Sequence, residues 1–321
     1  MKIKVYSCRA DEMEALERFG RKYGVELLLC EEEPRLDTIE AVEGCHCVSI
    51  ITTPITKELI DKFHEAGIRY ISTRTIGFDH IDSQYAREKG IGVGNVTYSP
   101  HSVADYTVML ILMSIRKIKY IQERSHIQDF SLGGVQGREL HNLTVGVVGT
   151  GRIGRAVCRS LSGFGCRILA YDLHPAEDLA GIVEYTDLNT LLALSDLVTL
   201  HVPAVKENTH LINRDTLAGM KDGVILINTS RGTVVNTPAL IEALESGKVG
   251  GAALDVIEGE SELYYNDLRG RILKNRELAI LKSYSNVIVT PHTAFYTDQA
   301  VSDMVENSIL SCLNYIKEKG L

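Results

Sequence analysis

At 321 residues the chain exceeds the roughly 100–200 residues that one core usually holds, so two compact units are expected. A hydrophobic fraction of 45% with 24% charged residues excludes a disordered or fibrous protein. The net charge of −8, with 34 Lys and Arg spread along the chain, excludes a clustered basic nucleic-acid surface, and no stretch reaches about 18 uncharged apolar residues.

Neither nucleic acid nor a membrane is therefore expected as a partner. The amino terminus, MKIKVYSCRADEMEALERF, carries charges throughout and lacks the apolar run of a signal peptide, which predicts a cytoplasmic protein. Seven cysteines at irregular spacing make no disulfide framework and are expected as reduced thiols. Cys45-His46-Cys47 has no matching second pair, so core packing is expected there and no metal.

The first hundred residues alternate β-rich runs (KIKVYSC, VELLLC, HCVSIITT, IRYISTR) with amphipathic stretches at 10–22 and 56–65, the pattern of a parallel α/β sheet. From Ser102 to about Gln128 the spacing of Val103, Tyr106, Thr107, Leu110, Ile111 and Ser114 predicts one long connecting helix. LTVGVV opens a second series that continues through RILAYD, DLVTLHV, GVILINTS, VGGAALDV and NVIVTP, predicting a larger sheet. The segment 259–286 is too long for an ordinary strand connection and reads as an active-site insertion with helical turns. From about Thr297 a final amphipathic helix puts Val301, Met304, Val305, Ile309, Cys312 and Leu313 on one face. The fold class predicted is α/β, two Rossmann-like doubly wound parallel-sheet domains with an active-site cleft between them.

Gly149-Thr150-Gly151-Arg152-Ile153-Gly154 follows LTVGVV directly and opens the helical run RAVCRSL, the context this glycine pattern requires. Gly149 permits the tight turn, Gly151 the approach of a pyrophosphate, and Gly154 close packing of helix on strand. RILAYD ends in Asp172, whose carboxylate suits the two ribose hydroxyls of NAD and repels the 2′-phosphate of NADP.

Three charged residues follow strands of the second series: Arg231 after GVILINTS, Glu260 after GGAALDVIEG and His292 after NVIVTP. Strand carboxyl ends line the ligand crevice of open parallel sheets. A 2-keto acid needs a planar cation for its carboxylate, which Arg231 supplies. The alkoxide left by hydride addition needs a proton, which His292 can give near neutral pH, with Glu260 as the carboxylate on the other ring nitrogen. Read singly, each residue has a structural alternative: a solvated loop charge, one acid among several, a strand-end histidine.

With VGVVGTGRIGRAV, SDLVTLHVPAVKENTHLIN, MKDGVILINTSRGTVVN, GGAALDVIEGE and NVIVTPHTAFYT together, the chain resembles the D-isomer-specific 2-hydroxyacid dehydrogenase family over almost its whole length. YSPHSVADYTVMLILM, LSGFGCRILAYD and ALDVIEGESELYYNDL carry a further likeness to its D-lactate dehydrogenases, including the vancomycin-resistance type. The resemblance implies that Arg231, Glu260 and His292 are catalytic. It also implies that Arg152 and Ile153 meet the pyrophosphate, Asp172 the ribose, and Val202, Pro203 and Asn208 the adenosine side, with Thr229, Ser230 and Asp255 near the nicotinamide. Main-chain amides at Ile76 and Gly77 would help hold the substrate carboxylate, with Tyr98 close by. The family pattern implies a substrate domain of 1–100 plus 298–321, an NAD domain of 101–297, a hinge near 99–102 and 294–298, and a homodimer with the 102–128 helix at its interface.

The activity so implied is NADH-dependent reduction of pyruvate to D-lactate. Ile50 and Ile51 stand where an aromatic pocket wall is expected, which points alternatively to a bulkier keto acid such as that of 2-hydroxyisocaproate or an aryl-lactate. An NAD-sensing corepressor on the same fold is the alternative from another class.

Overall fold

In a computed structural model, which describes residues 1–40, 42, 44–260 and 263–320, the chain divides into two compact units, 1–99 with 296–321 and 100–295. The first is built on five parallel strands: β1 (Lys2–Val5), β2 (Glu26–Leu29), β3 (Cys45–Ile50), β4 (Tyr70–Thr73) and β5 (Gly92–Gly94), in the order β2-β1-β3-β4-β5. One face packs Ile3, Val5, Leu16 and Phe19 against Val305, Ile309 and Cys312 of the final helix, Asp298–Lys319, whose N-cap Thr297 accepts from Ala300 N. The other face carries Val48, Ile50, Ile60, Phe63 and Ile71. Each such side chain is worth about 1.5–3 kcal/mol against exposure. Cys45 and Cys47 lie in these cores, 3% and 0% exposed.

The second unit holds seven parallel strands: β6 (Thr144–Val148), β7 (Arg167–Tyr171), β8 (Glu184–Tyr185), β9 (Leu197–Leu200), β10 (Val224–Asn228), β11 (Val249–Leu254) and β12 (Val287–Val289). Their order, β12-β11-β10-β9-β6-β7-β8, reverses direction at β6 and β9, and this is where an open α/β sheet binds its ligand. VILIN of β10 is buried at every position, as a central strand covered on both faces requires.

The predicted single helix over 102–128 is two helices, His101–Ile115 and Ile118–His126. Lys117 between them takes a left-handed conformation (φ 53°) and its N–H turns back to Ser114 O at 3.1 Å, which ends the first helix without proline or glycine. In 259–286 the described residues include the helix Arg276–Ser283, capped by Asn275 at Leu278 N. Ser261 and Glu262 of that segment lie outside the described residues. Ile50, read as a pocket wall, is fully buried because it ends β3, a central strand covered on both faces, where it packs with Val48; Ile51, just past the strand, is half-buried. Among the described residues no helix is long and apolar enough to cross a membrane, and no group of three or more His, Cys, Asp or Glu is placed to hold a metal ion.

Candidate active site

The glycine loop leaves β6 and enters the helix Arg152–Ser162 within three residues. Gly149 has a φ of 94°, and a Cβ there would lie 2.5 Å from His201 O. A Cβ on Gly154 would lie 1.9 Å from Gly149 O, so a side chain there would drive the helix off the turn. A Cβ on Gly151 would meet nothing within 4 Å, which leaves room over the helix start for a pyrophosphate. The first N–H groups of a helix have no partner within it, and Gly151, as N-cap, offers no side chain to compete for them. These residues fit a dinucleotide.

Asp172 leaves β7 beside this loop, with one carboxylate oxygen 2.6 Å from Thr150 N and the other 2.8 Å from His174 N. Val202 and Pro203 follow β9, and Asn208 Nδ2 donates to Pro203 O at 2.9 Å, closing the turn after it. Thr229 and Ser230, 8% and 9% exposed, follow β10; the Thr229 hydroxyl meets that of Thr107 at 2.8 Å, and Ser230 donates to Asn228 Oδ1.

Arg231 is half-buried, with its Nη1 donating to Ser230 O at 2.8 Å and its carbonyl held by Asn228 Nδ2 at 2.9 Å. Its neighbour Gly232 lies so close to the loop after β11 that a Cβ would fall 2.1 Å from both Ile257 C and O. That contact brings the Arg231 segment against the loop holding Glu260. Sequence reading missed Gly232, for which the only signal is a glycine beside a candidate functional arginine.

His292 Nδ1 lies 2.6 Å from Glu260 Oε1, and Glu260 Oε2 accepts from Ile257 N at 2.8 Å. The His292 main chain has a φ of 53°, a conformation that non-glycine residues rarely adopt. It is over-determined by its surroundings: His292 N donates to Asp255 O at 2.8 Å, and the Tyr265 hydroxyl donates to His292 O at 2.9 Å. Asp255 is fully buried, and its carboxylate accepts from the Thr290 hydroxyl at 2.6 Å, Thr293 N at 3.0 Å and Ala294 N at 2.9 Å. It thus anchors the turn carrying His292. No acceptor or donor among the described residues meets His292 Nε2, and the rings of Tyr265 and Phe295 flank the imidazole with centroids at 6.3 Å. Burial, with the charges of Glu260 and Asp255, pushes the Tyr264 hydroxyl above its ordinary titration range. His201, just past β9, is driven by burial down to about 3, so it stays uncharged at neutral pH.

In the first unit, Ile76 and Gly77 follow β4 in a turn whose carbonyls are all taken. Thr75 O accepts from Val96 N at 3.1 Å, Ile76 O from Asn95 Nδ2 at 2.6 Å, and Gly77 O from the Thr75 hydroxyl at 2.6 Å. The N–H groups of Ile76 and Gly77 have no acceptor among the described residues. Tyr98 is half-buried beyond β5.

Residues 108–294 match the family model for the NAD binding domain of D-isomer specific 2-hydroxyacid dehydrogenases. The chain is 43% identical over 314 residues to a D-specific alpha-keto acid dehydrogenase of Enterococcus faecium, covering 98% of this chain and 96% of that one. An aromatic 2-oxoacid reductase of Clostridium sporogenes is 42% identical over 314 residues, covering 97% of this chain and 95% of the relative. The structure of a D-lactate dehydrogenase from Sporolactobacillus sp. superposes with a TM-score of 0.85 at 38% identity, covering 100% of this chain and 97% of that one. The chain belongs to the D-isomer-specific 2-hydroxyacid dehydrogenase family, as an oxidoreductase with NAD as its cofactor.

Proposed function

We propose that the protein is a D-lactate dehydrogenase that reduces pyruvate with NADH. The observation that carries the chemistry is the 2.6 Å contact of His292 Nδ1 with Glu260, which leaves Nε2 of the same ring without a protein partner among the described residues. NADH, when bound, supplies the hydride to the keto carbon. The Arg231 guanidinium binds the substrate carboxylate and polarises the carbonyl. His292 Nε2 gives its proton to the carbonyl oxygen, while Glu260, on Nδ1, fixes the ring. The Ile76 and Gly77 amides and Tyr98 are further substrate contacts in this reading. On the cofactor side, Arg152 and Ile153 meet the pyrophosphate, Asp172 the ribose, Val202, Pro203 and Asn208 the adenosine, and Thr229 and Ser230 the nicotinamide. Asp255 acts there through the turn it holds.

The choice of pyruvate follows the D-lactate dehydrogenase likeness. The second reading, a branched or aromatic 2-keto acid, is favoured by aliphatic Ile51, by the Tyr265 and Phe295 rings beside His292 and by the aromatic 2-oxoacid reductase relative. NADH oxidation with pyruvate, 2-ketoisocaproate and phenylpyruvate, followed by chiral analysis of the product, separates the two. Pyruvate turned over fastest to D-lactate is expected, preference for a larger acid selects the second reading, and tight NADH binding without turnover would overturn both.

We place the enzyme in the cytoplasm, where free thiols such as its seven persist, and as a homodimer. Ile127, Phe130 and Leu132, between 77% and 86% exposed just past the helix Ile118–His126, are apolar side chains that a second copy would cover. Light scattering giving a monomer mass at micromolar concentration would remove the dimer.

A further inference from the structure

A second histidine–carboxylate contact lies two residues from Glu260. His210 Nε2 stands 2.7 Å from Glu258 Oε1, and the other oxygen of that carboxylate accepts from Thr237 N at 2.9 Å. The opposite ring nitrogen, Nδ1, lies 3.2 Å from Asn236 Nδ2. Asn236 cannot be turned over, because its Oδ1 caps the helix Thr237–Glu245 by accepting from Ala239 N at 2.9 Å. An amide NH2 only donates, so His210 Nδ1 must accept, and the single ring proton sits on Nε2 and is donated to Glu258. The ring is an uncharged link between a helix cap and a carboxylate.

The main chain of His210 is held as firmly. Its N–H donates to Thr233 O at 2.9 Å, its carbonyl accepts from Asn213 Nδ2 at 3.0 Å, and its φ is 52°. Three segments meet here: 208–213, 231–237 and 255–260. Two of them carry the groups assigned to chemistry, Arg231 immediately before Gly232 and Glu260 two residues after Glu258. The Gly232 backbone touches the Ile257–Glu258 peptide, where a Cβ would lie 2.6 Å from Glu258 N. That contact has no side chain of its own to hold it, and the His210–Glu258–Thr237 links close it from the outside.

We propose that His210 and Glu258 are positioning residues for the reaction, clamping the Arg231 segment to the Glu260 loop so that the carboxylate-binding cation and the histidine's partner keep a fixed separation. This rests on the roles proposed above for Arg231 and Glu260. Burial works to raise the titration of Glu258, and the hydrogen bonds from His210 and Thr237 outweigh it, holding the carboxyl below its ordinary value. The two side chains are 40% and 25% exposed, so the pair adds little to global stability and variants are expected to fold.

The test is steady-state kinetics on the full chain with His210→Ala, Glu258→Ala and His210→Gln, beside NADH titration by fluorescence. Losing one of these hydrogen bonds is expected to raise KM for the 2-keto acid about tenfold in the two alanine variants, with a smaller fall in kcat and NADH affinity within about twofold of wild type. His210→Gln, whose amide can donate to Glu258 while its carbonyl accepts from Asn236, is expected to recover most of that loss. A KM for His210→Ala within about twofold of wild type would overturn the clamp. If Gln behaves like Ala, the uncharged hydrogen-bonded link is overturned. An Arg231→Ala variant with unchanged KM is a separate failure, since it removes the carboxylate role of Arg231 itself.

Discussion

The second unit contains the same chemical pair twice. His292 meets Glu260 at 2.6 Å and His210 meets Glu258 at 2.7 Å, both on the loop after β11 and both on residues with left-handed backbones. Distance does not distinguish them; the far side of each ring does. The far nitrogen of His210 is occupied by the Asn236 amide, whereas that of His292 has no partner among the described residues and lies beside the Tyr265 and Phe295 rings. A histidine with both nitrogens committed to protein is a fastener, and one with a single nitrogen committed is available as an acid.

The hardest test of this contrast swaps the same side chain at both positions. His292→Gln is expected to cut kcat on the order of 10³-fold, since an amide cannot give up a proton, with NADH binding nearly intact. His210→Gln is expected to leave kcat close to wild type. Equal losses at the two positions would erase the distinction. The carboxylates come next: Glu260→Gln should cost about tenfold to a hundredfold in kcat/KM, the usual loss when the hydrogen-bond partner that orients a working histidine is replaced, with a smaller effect from Glu258→Gln. A larger loss at Glu258 would reverse the assignment.

The smallest effect is on stability against pH. Because the folded Glu258 carboxyl titrates below its ordinary value, its contribution is present above the ordinary carboxylate range and is lost as pH falls through the lowered folded value. The gap in urea midpoint between wild type and Glu258→Gln should therefore be widest near neutrality and close toward about pH 3. A gap independent of pH would mean that the ionised carboxylate is not what holds the pair.

The contrast itself was not legible in the sequence. His292 and Glu260 could be paired on paper because each follows a strand of the parallel sheet, and a proton donor for a keto acid wants a carboxylate behind it. His210 and Glu258 carry no such chemical demand. Their pairing depends on three loops converging, and the tautomer depends on which way the Asn236 amide is pinned. The positions of the glycine loop and of the strand-end residues were readable because strand, turn and helix are contiguous there. The break at Lys117 was not, since a left-handed lysine has no composition signal and the apolar spacing runs on past it. Ile50 was misread because it is the last residue of a central strand packed on both faces while Ile51 lies just past it, and sequence does not fix a strand's end to one residue.

The close approach at Gly232 also limits how this enzyme can be redesigned. With the Ile257 carbonyl carbon and oxygen both 2.1 Å from where a first side-chain atom would sit, any substitution must push either the Arg231 segment or the Glu260 loop away from the other. Gly232 itself therefore tolerates no side chain without a backbone shift. A library aimed at a new keto acid would hold Gly232 constant and vary side chains that do not bear on this contact.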